Sequence, residues 1–386
     1  MRTWLLPEYI EDILPDEARR IERLRRLILD DFAVHGYELV MPPLLEYVDS
    51  LLTGTGEDLD LQTFKLVDQL SGRMLGVRAD ITPQVARIDA HLLNRSGVTR
   101  LCYTGSVLRT RPDGMNRTRE PLQIGAEIYG HRSIEGDVEV QRMMLQALKL
   151  ADVREVSLDI GHVAVFRALL RRARVSRALE ADLFQAMQSK DAPAIASLAQ
   201  GLDRSTRAAL AVLPELYGGP EVLARARRVL PALPEIRAAL RDLSALSQRL
   251  ADQAQIRSFD LGELRGYHYH SGVVFAAYAN GRPNAVAQGG RYDEVGKAFG
   301  RARPATGFSM DLRELAAASG KEARQSRVLA PYRPSDGALQ RCIAGLRGRG
   351  VVVIEDLPGH ARYRGELGCE RVLVRRGGRW VTQKLD

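Results

Sequence analysis

The stretch Leu122-Gln123-Ile124-Gly125-Ala126-Glu127-Ile128-Tyr129 constrains this chain more than any other. Its apolar and polar side chains alternate with a period of two, the period of a β-strand whose faces meet different surroundings. Leu122, Ile124, Ala126 and Ile128 share one face, suited to packing against helices. Gln123 and Glu127 share the other, and Gly125 between them leaves a gap where a side chain would stand. A carboxylate, an amide and a vacancy on one wall suit a small polar ligand carrying cationic N–H groups. The pattern equally suits a half-exposed strand with a solvated polar face. What surrounds the segment has to decide.

Helical periodicity before it predicts an amphipathic helix from Asp16 to Phe32, with Ile21, Leu24, Ile28 and Phe32 inward and Gly36 ending it. The run from Tyr37 to Glu46 reads as an extended strand broken by Pro42 and Pro43, which cannot donate to a sheet ladder. Gly54-Thr55-Gly56 lacks the Lys-Ser/Thr ending of a phosphate loop and reads as a turn. Met74 to Val77 predicts a strand leading to Thr82-Pro83, a helix start with Thr as N-cap and Pro in the first turn. Strands are expected at about 100–108 and 122–129 around an arginine-rich loop at 111–120, then a helix at 137–150 and a strand at 156–160.

From 163 to 254 the chain turns rich in Ala, Leu and Arg, with helical spacing, no convincing strand and prolines that divide it into several helices. Strand patterns return at 257–261 and 268–279, Asn280-Gly281 signals a hairpin, and a helix is expected at about 311–319. After 326, strand, helix and further strand patterns form a separate small α/β unit. The expected division is 1–162 with 255–320 as core, 163–254 as helical insertion and 326–386 as the small unit.

A chain of 386 residues, 45% hydrophobic and 27% charged, has the balance of an ordinary soluble protein. No apolar run approaches the roughly 18 residues that cross a bilayer, and the first residues carry no secretory-type apolar core, so a cytoplasmic location is expected. Cys102, Cys342 and Cys369 are scattered, which indicates neither a disulfide framework nor a zinc ribbon. His268 and His270 lie two apart on the expected strand with no third ligand nearby, so no metal site is expected. A net charge of +8 fits nucleic acid or an acidic protein partner but is spread too evenly to choose.

Several stretches, in order and spacing, resemble the histidyl-tRNA synthetase catalytic domain, a class II aminoacyl-tRNA synthetase fold. They are Arg78–Thr82, the 109–130 strand-loop-strand, Arg265-Gly266-Tyr267-His268-Tyr269-His270, Gly289-Gly290-Arg291-Tyr292-Asp293 and Gly307-Phe308-Ser309-Met310. The resemblance implies an α+β fold, an antiparallel sheet flanked by helices, and a dimer. It also implies roles: Asp80 and Thr82 for an ammonium group, Gln123 and Glu127 for the bound amino acid, Tyr269 and His270 near an imidazole. His270 stands where the synthetases have a tyrosine. Arg265 matches their catalytic arginine and, with the amino-acid set kept, is expected to be the seventh histidine-binding residue.

The nucleotide half of the same resemblance is altered. Where class II synthetases carry Arg-x-Glu, this chain has Arg109-Thr110-Arg111, followed by Pro112 in place of an arginine. The final motif, expected to end in an arginine that clamps a phosphate, ends in Glu314. A carboxylate a few ångströms from a phosphate repels it by about 4 kcal/mol at an effective dielectric near 20. Amino-acid activation is therefore expected to be lost, with no catalytic residue and no cofactor assigned. The roughly 60 residues after 325 fall short of a synthetase anticodon-binding domain, which argues against tRNA.

A synthetase body with an amino-acid pocket and a reversed nucleotide site is similar to one known family, the regulatory subunits of ATP phosphoribosyltransferase. Membership implies L-histidine as allosteric ligand and the short-form catalytic subunit as partner. It also implies a homodimer within a hetero-oligomer, the hetero-octamer being usual. A divergent synthetase-like ligase and a tRNA-binding module are the alternatives.

Overall fold

Alternation at 122–129 becomes a strand of those same residues, near the middle of a nine-stranded sheet. The computed structural model describes residues 4–54, 57–114, 117–319 and 326–385, and parts of the expected turn at 54–56 and loop at 111–120 lie outside them. Two compact units are present, Met1–Gly320 and Lys321–Asp386.

In the first unit the strands are β1 Glu38–Leu39, β2 Leu45–Tyr47, β3 Phe64–Val67, β4 Met74–Val77, β5 Thr99–Ser106 and β6 Leu122–Tyr129. They continue as β7 Val156–His162, β8 Tyr217–Gly218, β9 Gln255–Asp260, β10 Val273–Ala279, β11 Ala287–Arg291 and β12 Ala305–Asp311. The large sheet runs β1-β5-β6-β12-β11-β10-β7-β9-β8, antiparallel throughout except for the β1–β5 and β7–β9 pairs. β2, β4 and β3 form a separate three-stranded sheet.

One face of the large sheet carries the core. Ile124, Ala126 and Ile128 join Phe308, Met310 and Ile160 in a single cluster with helix Pro15–Val34 and helix Ile134–Leu150. The first helix buries Ile21, Leu24, Ile28 and Phe32, the four residues its spacing points inward. Each such side chain contributes about 1.5–3 kcal/mol by leaving water. The opposite face is built differently. Register sets Glu127 beside Gly307, Gly307 beside Gly290 and Gly290 beside Val274, so a buried carboxylate adjoins two positions without side chains.

Four local expectations are corrected. The prolines at 42 and 43 do more than weaken one strand: they part it into β1 and β2, which belong to different sheets. Residues 268–272 form no strand. Gly266 adopts φ +59°, and the N–H groups of Tyr269 and His270 both donate to its carbonyl, folding 265–270 into a turn. Thr82 is not a cap. Its hydroxyl bonds to Tyr103 Oη at 2.9 Å, and Asp80 Oδ1 accepts the Thr82 N–H instead. The 163–254 stretch is not wholly helical, because two-residue β8 pairs with β9. Its helices are Ala164–Ala173, Arg177–Gln188, Ala192–Leu198, Arg204–Val212, Glu221–Val229 and Pro234–Arg249.

The second unit is a four-stranded sheet in the order Val352–Asp356, Arg327–Pro331, Arg371–Arg376, Arg379–Lys384. Helix Gly337–Arg347 buries Leu339, Ile343 and Leu346 in a core of that unit's own. Among the described residues no helix is long and apolar enough to cross a membrane.

Candidate functional site

Above the glycine positions of the large sheet lies a cavity of about 280 Å³. Six of the seven residues expected to hold an amino acid line it: Asp80, Thr82, Glu127, Arg265, Tyr269 and His270. They come from three places in the sequence, brought together by the sheet, the turn at 265–270 and the loop before helix Thr82–Arg87. The seventh, Gln123, is absent from the wall. Its Nε2 donates to Asp80 Oδ1 at 2.7 Å and its Oε1 accepts the Ile81 N–H at 3.0 Å. Gln123 therefore fixes the Asp80 carboxylate, and the carboxylate faces the cavity.

Glu127 is 1% exposed. Tyr103 Oη donates to Oε1 at 3.1 Å and Tyr292 Oη donates to Oε2. Burial pushes the carboxyl up from its ordinary range to about 8, against the pull of the two hydroxyl bonds. A Cβ added at Gly307 would stand 1.4 Å from Glu127 Oε2, so only glycine leaves the carboxylate its place. Gly125 does similar service for another residue: a Cβ there would meet Tyr103 Oη at 2.5 Å. The gap read from the sequence exists, but the Tyr103 phenol fills it and carries the hydrogen bond to Glu127.

The far wall is aromatic. Tyr269 packs on Tyr292 with centroids 5.0 Å apart, and His270 lies edge-on to Tyr269. Burial lowers the His270 imidazole to about 4, which keeps the ring neutral at physiological pH. The Tyr269 hydroxyl and His270 Nδ1 are buried with no hydrogen-bond partner among the described residues. Both residues line the cavity, and a buried polar atom without a partner calls for one. Arg265, partly exposed, bonds to Tyr278 Oη at 3.2 Å and approaches Glu263 at 3.6 Å.

Tyr103 and Tyr292 were not singled out from the sequence as site residues. Tyr292 sits inside the Gly289–Asp293 motif, whereas Tyr103 is found only through the pairing of β5 with β6.

Two of the four positions of the nucleotide half, Arg109 and Glu314, sit in internal ion pairs. Arg109 lines the cavity and holds Asp113 at 3.0 Å. Glu314 pairs with Arg282 at 3.3 Å, beside a narrow annexe of about 40 Å³. Its carboxylate is therefore not the bare anion the sequence suggests. Arg111 is exposed and Pro112 partly so, and neither lines the cavity or the annexe. In the annexe burial raises the Asp311 carboxyl to about 6, while Asp311 Oδ1 accepts the Leu122 and Arg313 N–H groups.

Comparison with known proteins identifies the family. The histidyl-tRNA synthetase family model matches residues 9–315, and the model for the ATP phosphoribosyltransferase subunit HisZ C-terminal domain matches 325–383. An ATP phosphoribosyltransferase regulatory subunit of Ralstonia nicotianae is 60% identical over 383 residues, 99% of this chain and 98% of that protein. The one from Nitrosospira multiformis is 58% identical over 384 residues, 98% of each. A Bacillus halodurans structure described as an ATP phosphoribosyltransferase regulatory subunit/histidyl-tRNA synthetase superposes with a TM-score of 0.82 at 27% identity, covering 95% of this chain and 97% of that one. A Nostoc histidyl-tRNA synthetase at 16% identity, TM-score 0.76, shares the fold. On these matches the chain belongs to the family of ATP phosphoribosyltransferase regulatory subunits, the non-catalytic partner subunits of that enzyme in histidine biosynthesis.

Proposed function

We propose that this chain binds L-histidine in the 280 Å³ cavity and conveys feedback control to a short-form catalytic subunit. The observation that carries the reading is Glu127, a buried carboxyl held between two tyrosines and facing a cavity that Tyr269 and His270 also line, each with a buried polar atom that lacks a partner among the described residues. Histidine offers an ammonium, an imidazole N–H and a carboxylate. Asp80 and Glu127 supply acceptors for the first two, and Arg265 supplies a cation for the third. The volume lies just below the roughly 300–1,000 Å³ of common ligand pockets, a size for one small metabolite rather than an amino acid together with a nucleotide.

The assembly that fits this role is a cytoplasmic hetero-octamer built on a homodimer of this chain. For histidine to act as a feedback ligand it must bind the inhibited assembly more tightly than the active one, and the coupling is then reciprocal. The test is to mix this chain with a short-form catalytic subunit and assay phosphoribosyl transfer with and without histidine. Transfer that depends on this chain and falls with histidine is expected. Transfer indifferent to histidine, with calorimetry also showing no uptake by this chain, would sink the reading.

A further inference from the structure

The turn at 265–270 has two sides, and the ligand cavity uses only one. Arg265, Gly266, Tyr269 and His270 line the cavity. Tyr267 and His268 face the helical stretch that follows β7. There the Tyr267 hydroxyl donates to Glu180 Oε1 at 2.7 Å, and Phe184 stacks on Tyr267 at 5.3 Å and packs against His268 at 5.1 Å. Arg167 lies over the Tyr267 ring at 4.9 Å, and its Nη2 donates to the carbonyls of Tyr267 at 2.8 Å and His270 at 3.1 Å.

Local bonds shape the turn: the Tyr267 N–H donates to Leu264 O at 3.0 Å and the Arg265 N–H to Glu263 Oε1 at 2.7 Å. Within it, the N–H groups of Tyr269 and His270 bond to Gly266 O. Gly266 has φ +59°, and a side chain there would stand 2.7 Å from the His270 ring. A segment folded about one left-handed glycine depends on outside contacts for its conformation. On the cavity side Tyr292 packs on Tyr269; on the side away from the cavity the contacts come from helices Ala164–Ala173 and Arg177–Gln188.

We propose that Arg167, Glu180 and Phe184 are positioning residues for the ligand cavity, setting Tyr269 and His270 from behind although none of the three lines it. This rests on the histidine reading of the cavity and adds a route out of it. A ligand that engages the unmatched Tyr269 hydroxyl and His270 Nδ1 pulls on a turn whose other side is fixed to two helices. Ligand occupancy and the placement of those helices are thereby coupled, and the coupling works in both directions.

Histidine is titrated calorimetrically into the full-length wild type, Glu180→Ala, Glu180→Gln and Phe184→Ala, with hydrogen exchange followed by mass spectrometry. Both alanine variants are expected to lose about tenfold in affinity, within the range of ordinary site–site coupling. Glu180→Gln, still able to accept the Tyr267 hydroxyl, restores it. Histidine slows amide exchange across 164–188 in the wild type and not in Phe184→Ala. Wild-type affinity in both alanine variants, with no histidine-dependent protection in 164–188, overturns this proposal and leaves the histidine reading standing. A wild type that takes up no histidine overturns both.

Discussion

Replacing Glu127 by Gln separates the cost of a buried carboxyl from its use. The amide keeps the shape and can still face both phenols, accepting from one hydroxyl and donating to the other oxygen. It cannot ionise. In the free protein burial raises the Glu127 carboxyl to about 8 from an unfolded value of 4.5. Between those values the native state holds a proton that the unfolded chain has released, so this group's contribution to stability falls as pH rises and levels off above 8. At about 1.36 kcal/mol per pH unit, the loss accumulated from 4.5 to neutral pH is about 3 kcal/mol. Without ligand, Glu127→Gln at neutral pH should be at least as stable as wild type, and more stable by up to about that amount. Ligand binding should move the other way. An ammonium or imidazole N–H placed against Glu127 draws the carboxyl down, so binding below pH 8 expels its proton and affinity climbs with pH toward 8. Losing one charged partner of a buried pair costs about 2–5 kcal/mol, or about 30-fold in affinity and upward. Denaturant midpoints give the first quantity. Calorimetry in buffers of different ionisation enthalpy gives affinity and proton release together. Comparing the two proteins across pH removes the titration of histidine itself, which they share. Equal affinities, or parallel pH profiles with the same proton release, would refute the assignment of Glu127 as the group that meets the ligand's cation.

Gly307→Ala places a methyl where Glu127 Oε2 now sits, so histidine binding should be lost and stability should fall by about 1–3 kcal/mol; calorimetry and denaturant unfolding check both. Tyr269→Phe removes a hydroxyl that has no partner among the described residues, so unliganded stability should hold while histidine binding weakens by about 0.5–1.5 kcal/mol, roughly two- to tenfold, by titration. ATP with magnesium should support no histidine-dependent pyrophosphate exchange, because Arg109 is already matched by Asp113 and Glu314 stands paired with Arg282 where a phosphate clamp would be. Exchange above background in a radiolabel assay would contradict that account.

How far the site was legible follows from the distance over which each feature is decided. β6 emerged residue for residue because its pattern is local and the two faces make opposite demands on it. The Asp80–Thr82 stretch was legible as a helix start, but not the division of labour within it. Thr82 gave up capping because Tyr103, brought in by β5, competes for its hydroxyl. That same ring filled the space left by Gly125, a matter of inter-strand register that no reading of 122–129 alone supplies. Residues 268–272 read as strand because aromatic and polar residues alternate there. Gly266 and the Arg167 contacts override that propensity, one from within the turn and the other from a helix a hundred residues earlier. Glu314 was read as an unopposed anion because its cation lies 32 residues upstream, on the loop between β10 and β11. Reversed charges at a phosphate site and neutralised ones differ physically. Reversal repels a nucleotide, whereas neutralisation leaves it no net attraction and requires that an existing pair be opened first. The second describes this cavity better, and it bears on why Asp80 and Glu127 can persist beside it: paired side chains project little field into a neighbouring pocket, so the two proposed acceptors can meet a cation undisturbed.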